Sequence, residues 1–182
     1  MKLLFFLPYV VCLNCMGAHI AAFAGSARAD SVNKKLIRTA TKIARELGHT
    51  VDLLDLADYS IPLYNGDLEA EQGQPKAATA IRNKLIACDT IMISTPEYNG
   101  GITPLLKNVI DWVSRDEKGK PSLISLKEKR YILLSASPGR GGGERALAML
   151  RSIVEYVGGT VMQPTFSLRK AYGAFDEAGK MK

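Results

Sequence analysis

The sequence predicts an α/β fold, a doubly wound five-stranded parallel sheet with helices on both faces, on two observations. From His19 onward, short apolar runs alternate with longer amphipathic stretches, the pattern of repeated strand–helix–strand units. The chain has 182 residues and is 47% hydrophobic, enough for one sizeable core and too little for two independent ones.

Each element follows in order. The run at 20–24 (IAAFA) is continuously apolar and stops at Gly25, as a strand covered on both faces should. Leu36, Ala40, Ile43, Ala44 and Leu47 then recur at helical spacing up to Gly48. Residues 51–56 (VDLLDL) predict the second strand, 57–74 a long surface loop, and 75–87 a helix. The third strand is TIMIS at 90–94; Thr103 and Pro104 then supply an N-cap and first helical position. Leu106, Val109, Ile110 and Val113 give that helix its core face. RYILLS at 130–135 is the fourth strand, followed by a glycine-rich loop and a helix whose Leu147, Leu150, Ile153, Val154 and Val157 share one side. Gly158 and Gly159 end it, and the fifth strand is expected at 160–164. Sheets of this kind bind ligands beyond the carboxyl ends of their strands, so function is sought in the loops after strands one, three and four.

Composition excludes several classes. The net charge of +6 favours anionic small molecules, but the basic residues are scattered and form no stripe or module for nucleic acid. Three cysteines make an odd count, against a disulfide framework and compatible with a reducing compartment. Cys12 and Cys15 form a C-x-x-C without a second ligand pair, so no metal site is expected. Residues 1–18 read as an apolar N-terminal extension before a single domain at 19–182. Their apolar run, 3–13, is interrupted by Pro8 and falls short of the roughly 20 residues a spanning helix needs, so no stable membrane insertion is expected and the location is expected to be cytoplasmic. A secretory signal is the competing reading of that run.

Three loops carry residues suited to chemistry. A phosphate monoester needs backbone N–H groups at a helix N-terminus, short hydroxyls and a cation. In GSARADSVN, at 25–33, Ser26, Arg28, Ser31 and Asn33 supply them at suitable spacing. The plainer alternative is that Ser31 only caps the helix and Arg28 is solvated. The loop matches neither the dinucleotide nor the ATP glycine pattern. In TPEYNGG, at 95–101, Tyr98, Asn99 and the flexible Gly100–Gly101 backbone offer a flat face and donors for a planar ring, while Glu97 sits where a helix N-terminus favours negative charge. Trp112 and Asp111, on the following helix, read as packing and solvation respectively. The third loop, SASPGRGGGERA, holds Ser137, Pro138 and Gly139 and then Gly141 to Gly143, which permit close approach of backbone to a ligand.

The segments GSARADSVNKKL, TPEYNGGITPLLKNVIDW and SASPGRGGG, in that order, resemble the NAD(P)H-dependent FMN reductase-like family, which includes quinone, azo-dye and chromate reductases. The resemblance runs from Ile20 to about Glu177 and implies a flavodoxin-like fold. It further implies FMN held by Ser26, Arg28, Ser31 and Asn33 at the phosphate, by Pro96, Glu97, Tyr98, Asn99 and Gly100 along the ring, and by Ser137, Gly139 and Gly142 near its far side. NADPH or NADH is the implied donor, a small molecule the acceptor, and a homodimer or homotetramer the implied assembly. No side chain is assigned as acid or base, because the flavin carries the chemistry. A flavodoxin-like single-electron carrier is the alternative; such carriers tend to be acidic and usually have a threonine-rich phosphate loop. The chain departs from the family in two places. Thr103 and Pro104 stand where many relatives have Pro and Gly, so that loop is expected to end differently, and Lys182 falls where the family's last helix is expected.

Overall fold

A computed structural model describes residues 17–182. The apolar stretch up to residue 16, with Cys12 and Cys15, lies outside the described residues.

Strand β1 (His19–Ala24) leads into helix α1 (Val32–Glu46), and β2 (Thr50–Leu54) completes the first unit. Two short helices and a longer one follow: a 3₁₀ turn at Leu56–Asp58, α2 (Gly66–Gln72) and α3 (Lys76–Ala87). Next come β3 (Thr90–Thr95), α4 (Pro104–Val113), β4 (Arg130–Ala136) and α5 (Glu144–Tyr156). The chain closes with β5 (Thr160–Val161), β6 (Phe166–Leu168) and a 3₁₀ turn at Ala171–Ala174.

The sheet is parallel throughout, in the order β2-β1-β3-β4-β5, with β6 also paired to β4. The expected fifth strand is thus two pieces. β5 pairs Thr160 and Val161 with Arg130 and Tyr131, and β6 resumes with Phe166 opposite Leu134. Pro164 stands between them and has no N–H to donate to a ladder, which accounts for the break. The expected second strand likewise stops two residues early, where Asp55 caps the 3₁₀ turn by accepting from the Ala57 N–H at 3.0 Å.

Alternate residues of each central strand face opposite layers. Ala21, Phe23, Ile91, Ile93, Tyr131 and Leu133 meet α3, α4 and α5. Ile20, Ala22, Met92, Ile132 and Leu134 meet α1 together with Phe166, Ala171 and Phe175 from the last segment. Each Leu, Ile or Phe removed from water in these layers contributes about 1.5–3 kcal/mol, and β3, buried at all six positions, carries Ile91, Met92 and Ile93 at its centre. Helix α4 begins as its sequence dictates: Thr103 Oγ1 accepts from the Leu106 N–H and Pro104 takes the first position. Trp112 is fully buried, its indole N–H donating to the Pro62 carbonyl at 2.8 Å, and Asp111 pairs with Lys107 one turn earlier.

From β1 the chain turns one way to β2 and the other way to β3. That reversal opens a crevice at the carboxyl ends of β1 and β3.

Candidate functional site

The crevice is an open cleft with about 610 Å³ of empty space, lined by Ser26, Arg28, Ser31, Asn33, Pro96, Glu97, Tyr98 and Ser137 from the predicted set. Asp30, Val32, Ala136, Pro138 and Tyr172 complete the wall.

One end of the cleft is the turn from β1 into α1. Ser31 caps the helix, its Oγ accepting from the Lys34 N–H at 3.4 Å, and Ser26 Oγ accepts from the Arg28 N–H at 3.4 Å. The N–H groups of Val32 and Asn33, in the first turn, have no acceptor within the helix. The charges around this turn nearly cancel: Lys34 pairs with Asp55 at 2.7 Å and Lys35 with Asp30. Lys35's hydrogen bond and charge hold the exposed Asp30 carboxyl below its ordinary range. At Asp55 burial pushes the carboxyl up, but the hydrogen bond from Lys34, the Ala57 N–H and the nearby cations outweigh it, and the carboxyl is lowered. Among the described residues Arg28 makes no side-chain hydrogen bond or ion pair, so its charge and the helix dipole remain to meet an anion.

Asn33 lines the cleft, yet its amide is spent on the fold. Its Oδ1 accepts from Ser94 Oγ at 2.8 Å and from the Ala136 N–H at 2.9 Å, while its Nδ2 donates to the Ala136 carbonyl at 2.9 Å.

The second wall follows β3. Tyr98 and Gly101 exchange both backbone hydrogen bonds at 3.0 Å across a two-residue turn. Asn99 and Gly100 at its tip have φ of 51° and 82°, the left-handed pair that an Asn-Gly turn adopts most readily. Those two residues do not line the cleft; they hold Tyr98 at its rim, 47% exposed. Glu97 reaches across to α5 and accepts from the Arg145 N–H at 3.2 Å and from its guanidinium at 3.3 Å. The favoured negative charge at a helix N-terminus is thus that of α5, and it ties the second wall to the third.

The third wall is the loop after β4. Ser137 lines the cleft, and its Oγ accepts from the Gly139 N–H at 3.2 Å, so Gly139 shapes the turn from outside the cleft wall. Gly142 is buried in another direction: a Cβ there would fall 2.1 Å from Ser167 Oγ, and one on Gly143 1.8 Å from Ser135 Oγ. The close approach these glycines permit is to β6 and β4.

Sequence reasoning missed Asp30, Val32, Ala136 and Tyr172 as wall residues, and the Lys34–Asp55 pair. Asp30, Val32 and Lys34 stand beside motif positions. Nothing local marks Tyr172, which arrives because Lys170 and Ala171 donate N–H groups to the Gly139 and Ser137 carbonyls. Among the described residues no helix is long and apolar enough to cross a membrane, and no cluster of three or more acidic, histidine or cysteine side chains is placed to hold a metal.

This geometry suits an anionic group at the α1 end and a flat group along the β3 loop. Residues 18–173 match the family model described as NADPH-dependent FMN reductase. The chain is 33% identical over 167 residues to an NAD(P)H-dependent FMN reductase of Pseudomonas aeruginosa, covering 89% of this chain and 83% of that one. It is 36% identical over 136 residues to a rice protein (Oryza sativa subsp. japonica) named "Probable NADPH:quinone oxidoreductase 2", a match spanning 74% of this chain and 63% of the rice protein. Among solved structures, the flavoenzyme NAD(P)H:(acceptor) oxidoreductase of Paracoccus denitrificans superposes with a TM-score of 0.75 at 30% identity, covering 90% of this chain and 86% of that one.

Proposed function

We propose, from the fact that this chain belongs to the NADPH-dependent FMN reductase family, that the protein is an NAD(P)H-dependent FMN oxidoreductase acting on a small acceptor: a quinone, azo compound, metal oxyanion or free flavin. FMN, when bound, supplies the two-electron chemistry, accepting hydride from the nicotinamide and reducing the acceptor.

The residues fit that cofactor. A phosphate carrying close to two negative charges meets the first-turn N–H groups of α1, the hydroxyls of Ser26 and Ser31 and the guanidinium of Arg28. That unpaired cation at a helix N-terminus, on the switch point of the sheet, is the observation that carries the proposal. Pro96, Glu97 and Tyr98 provide the side on which a flat ring rests, shaped by the turn at Asn99 and Gly100, and Ser137 closes the far side with Gly139 behind it. These side chains bind and orient; none is assigned a proton. Donor and acceptor would occupy the same open face in turn. A single-electron carrier is not favoured, because the chain is basic and its relatives are named reductases.

A homodimer or homotetramer belongs to the same proposal. Tyr98, Met149 and Tyr156 are 47%, 43% and 88% exposed. Met149 Sδ would touch a Cβ on Gly101 at 3.0 Å, which puts this face of α5 beside the Tyr98 turn. Apolar surface of this kind next to the cleft suits a second copy. A cytoplasmic location, beside the nicotinamide pool, is part of the proposal too.

Steady-state NADPH oxidation with a benzoquinone, on FMN-loaded protein whose mass is taken by light scattering, tests both parts. Parallel double-reciprocal lines and a mass that is a multiple of 19.8 kDa are expected. Intersecting lines, or a single-chain mass in the active species, would contradict the shared face or the assembly.

A further inference from the structure

We infer that Lys34 and Asp55 are positioning residues of the anion-binding loop: together they hold the Ala27 carbonyl and thereby aim the Arg28 N–H at Ser26 Oγ, which fixes that hydroxyl on the cleft wall. The inference rests on the assignment of this loop to the FMN phosphate.

Lys34 is the third residue of α1 and only 6% exposed. Its ammonium donates to Asp55 Oδ2 at 2.8 Å and to the Ala27 carbonyl at 3.4 Å. Asp55 follows β2 directly and is itself fixed by the Ala57 N–H. A single ammonium therefore ties the first turn of α1, the middle of the loop and the carboxyl end of β2. In a planar trans peptide the C=O and the following N–H point opposite ways. Holding the Ala27 carbonyl on Lys34 turns the Arg28 N–H toward Ser26 Oγ, 3.4 Å away on the cleft wall. The Arg28 N–H thereby fixes the Ser26 hydroxyl on the cleft wall, and that hydroxyl and the Arg28 guanidinium face one anion.

The alternative role for Lys34, a cation touching the phosphate directly, fits the geometry less well. Lys34 does not line the cleft, and its charge is matched by a carboxylate at 2.7 Å. A neutralised ammonium adds little long-range attraction, so its contribution is to the shape of the loop. The pair also explains itself locally: a lysine head this deeply buried needs acceptors on several sides, and Asp55 and Ala27 supply them.

Flavin fluorescence quenching with FMN and with riboflavin, on the wild type, Lys34→Met and Asp55→Asn, separates these roles. Riboflavin has the same ring and no phosphate. Lys34→Met is expected to weaken FMN about tenfold and riboflavin by less than about twofold, with Asp55→Asn weakening FMN in the same direction. Tighter FMN binding by Asp55→Asn would overturn the inference, because freeing Lys34 helps only if Lys34 meets the phosphate itself. Equal loss of both flavins, or no loss of either, would overturn it as well. Should Lys34→Met fail to fold, Lys34→Met with Asp55→Leu removes both charges together and the same FMN-to-riboflavin ratio is read. Wild-type protein that takes up neither flavin would overturn the cofactor assignment itself, a result distinct from failure of the brace.

Discussion

The Asn33 side chain, 2% exposed, joins three elements: it starts from the first turn of α1, accepts from Ser94 on β3 and makes two hydrogen bonds to Ala136 at the end of β4. Replacing it by alanine leaves two buried backbone groups and a hydroxyl without partners, each costing about 1–3 kcal/mol. Asn33→Ala is accordingly expected to lose about 3 kcal/mol of stability in urea titration. A loss within about 0.5 kcal/mol, the range of surface substitutions, accompanied by weaker FMN binding, would make it a ligand. The sequence motif was enough to put Asn33 in the site, but not to show what its amide does, because its partners lie 61 and 103 residues away. Trp112 and Asp111 were legible for the opposite reason, since helical spacing alone separates a buried position from a solvated one.

Glycine at the start of α5 is a matter of packing between elements. Gly143 has φ of 84°, and a Cβ there would overlap Ser135 Oγ, whereas Gly141 has nothing within 4 Å. Gly143→Ala is expected to cost about 2 kcal/mol or more and to loosen β4 against α5, while Gly141→Ala stays within about 0.5 kcal/mol. Equal urea midpoints for the two variants would contradict this packing. Elements with a strong apolar period were readable in advance: α1, α4 and the three central strands fall where the spacing put them. α2 was not, because GDLEAEQ has no apolar stripe; the helix rests on Asn65, whose side chain accepts from the Asp67 and Leu68 N–H groups, and on buried Glu69. Glu69 is paired bidentately with Arg115, a contact no local pattern reveals. The break between β5 and β6 had its signal in Pro164, which cannot donate to a ladder.

At the scale of the whole molecule, the winding of the sheet brings loops from residues 25–33, 95–101 and 137–143 to one edge, and the order β2-β1-β3-β4 places the reversal between the first two of them. That much followed from counting strands and helices. Tyr172 did not, because the segment after β6 reaches the cleft only through its bonds to the β4 loop. The same segment, with Phe166, Ala171 and Phe175, shares with α1 the cover of one sheet face. The cleft that results has at a helix N-terminus the Arg28 guanidinium, without an ion pair among the described residues, and an open rim at Tyr98, and its proposed task is to hold FMN where a nicotinamide can reach it. The most direct test is the visible spectrum of the purified protein with FMN, recorded anaerobically before and after NADPH, with NADH in parallel. Uptake of FMN with flavin absorbance bleached by a single two-electron equivalent of nicotinamide is the predicted result. Folded protein that takes up no FMN, or whose bound flavin keeps its absorbance with both nicotinamides, would contradict it.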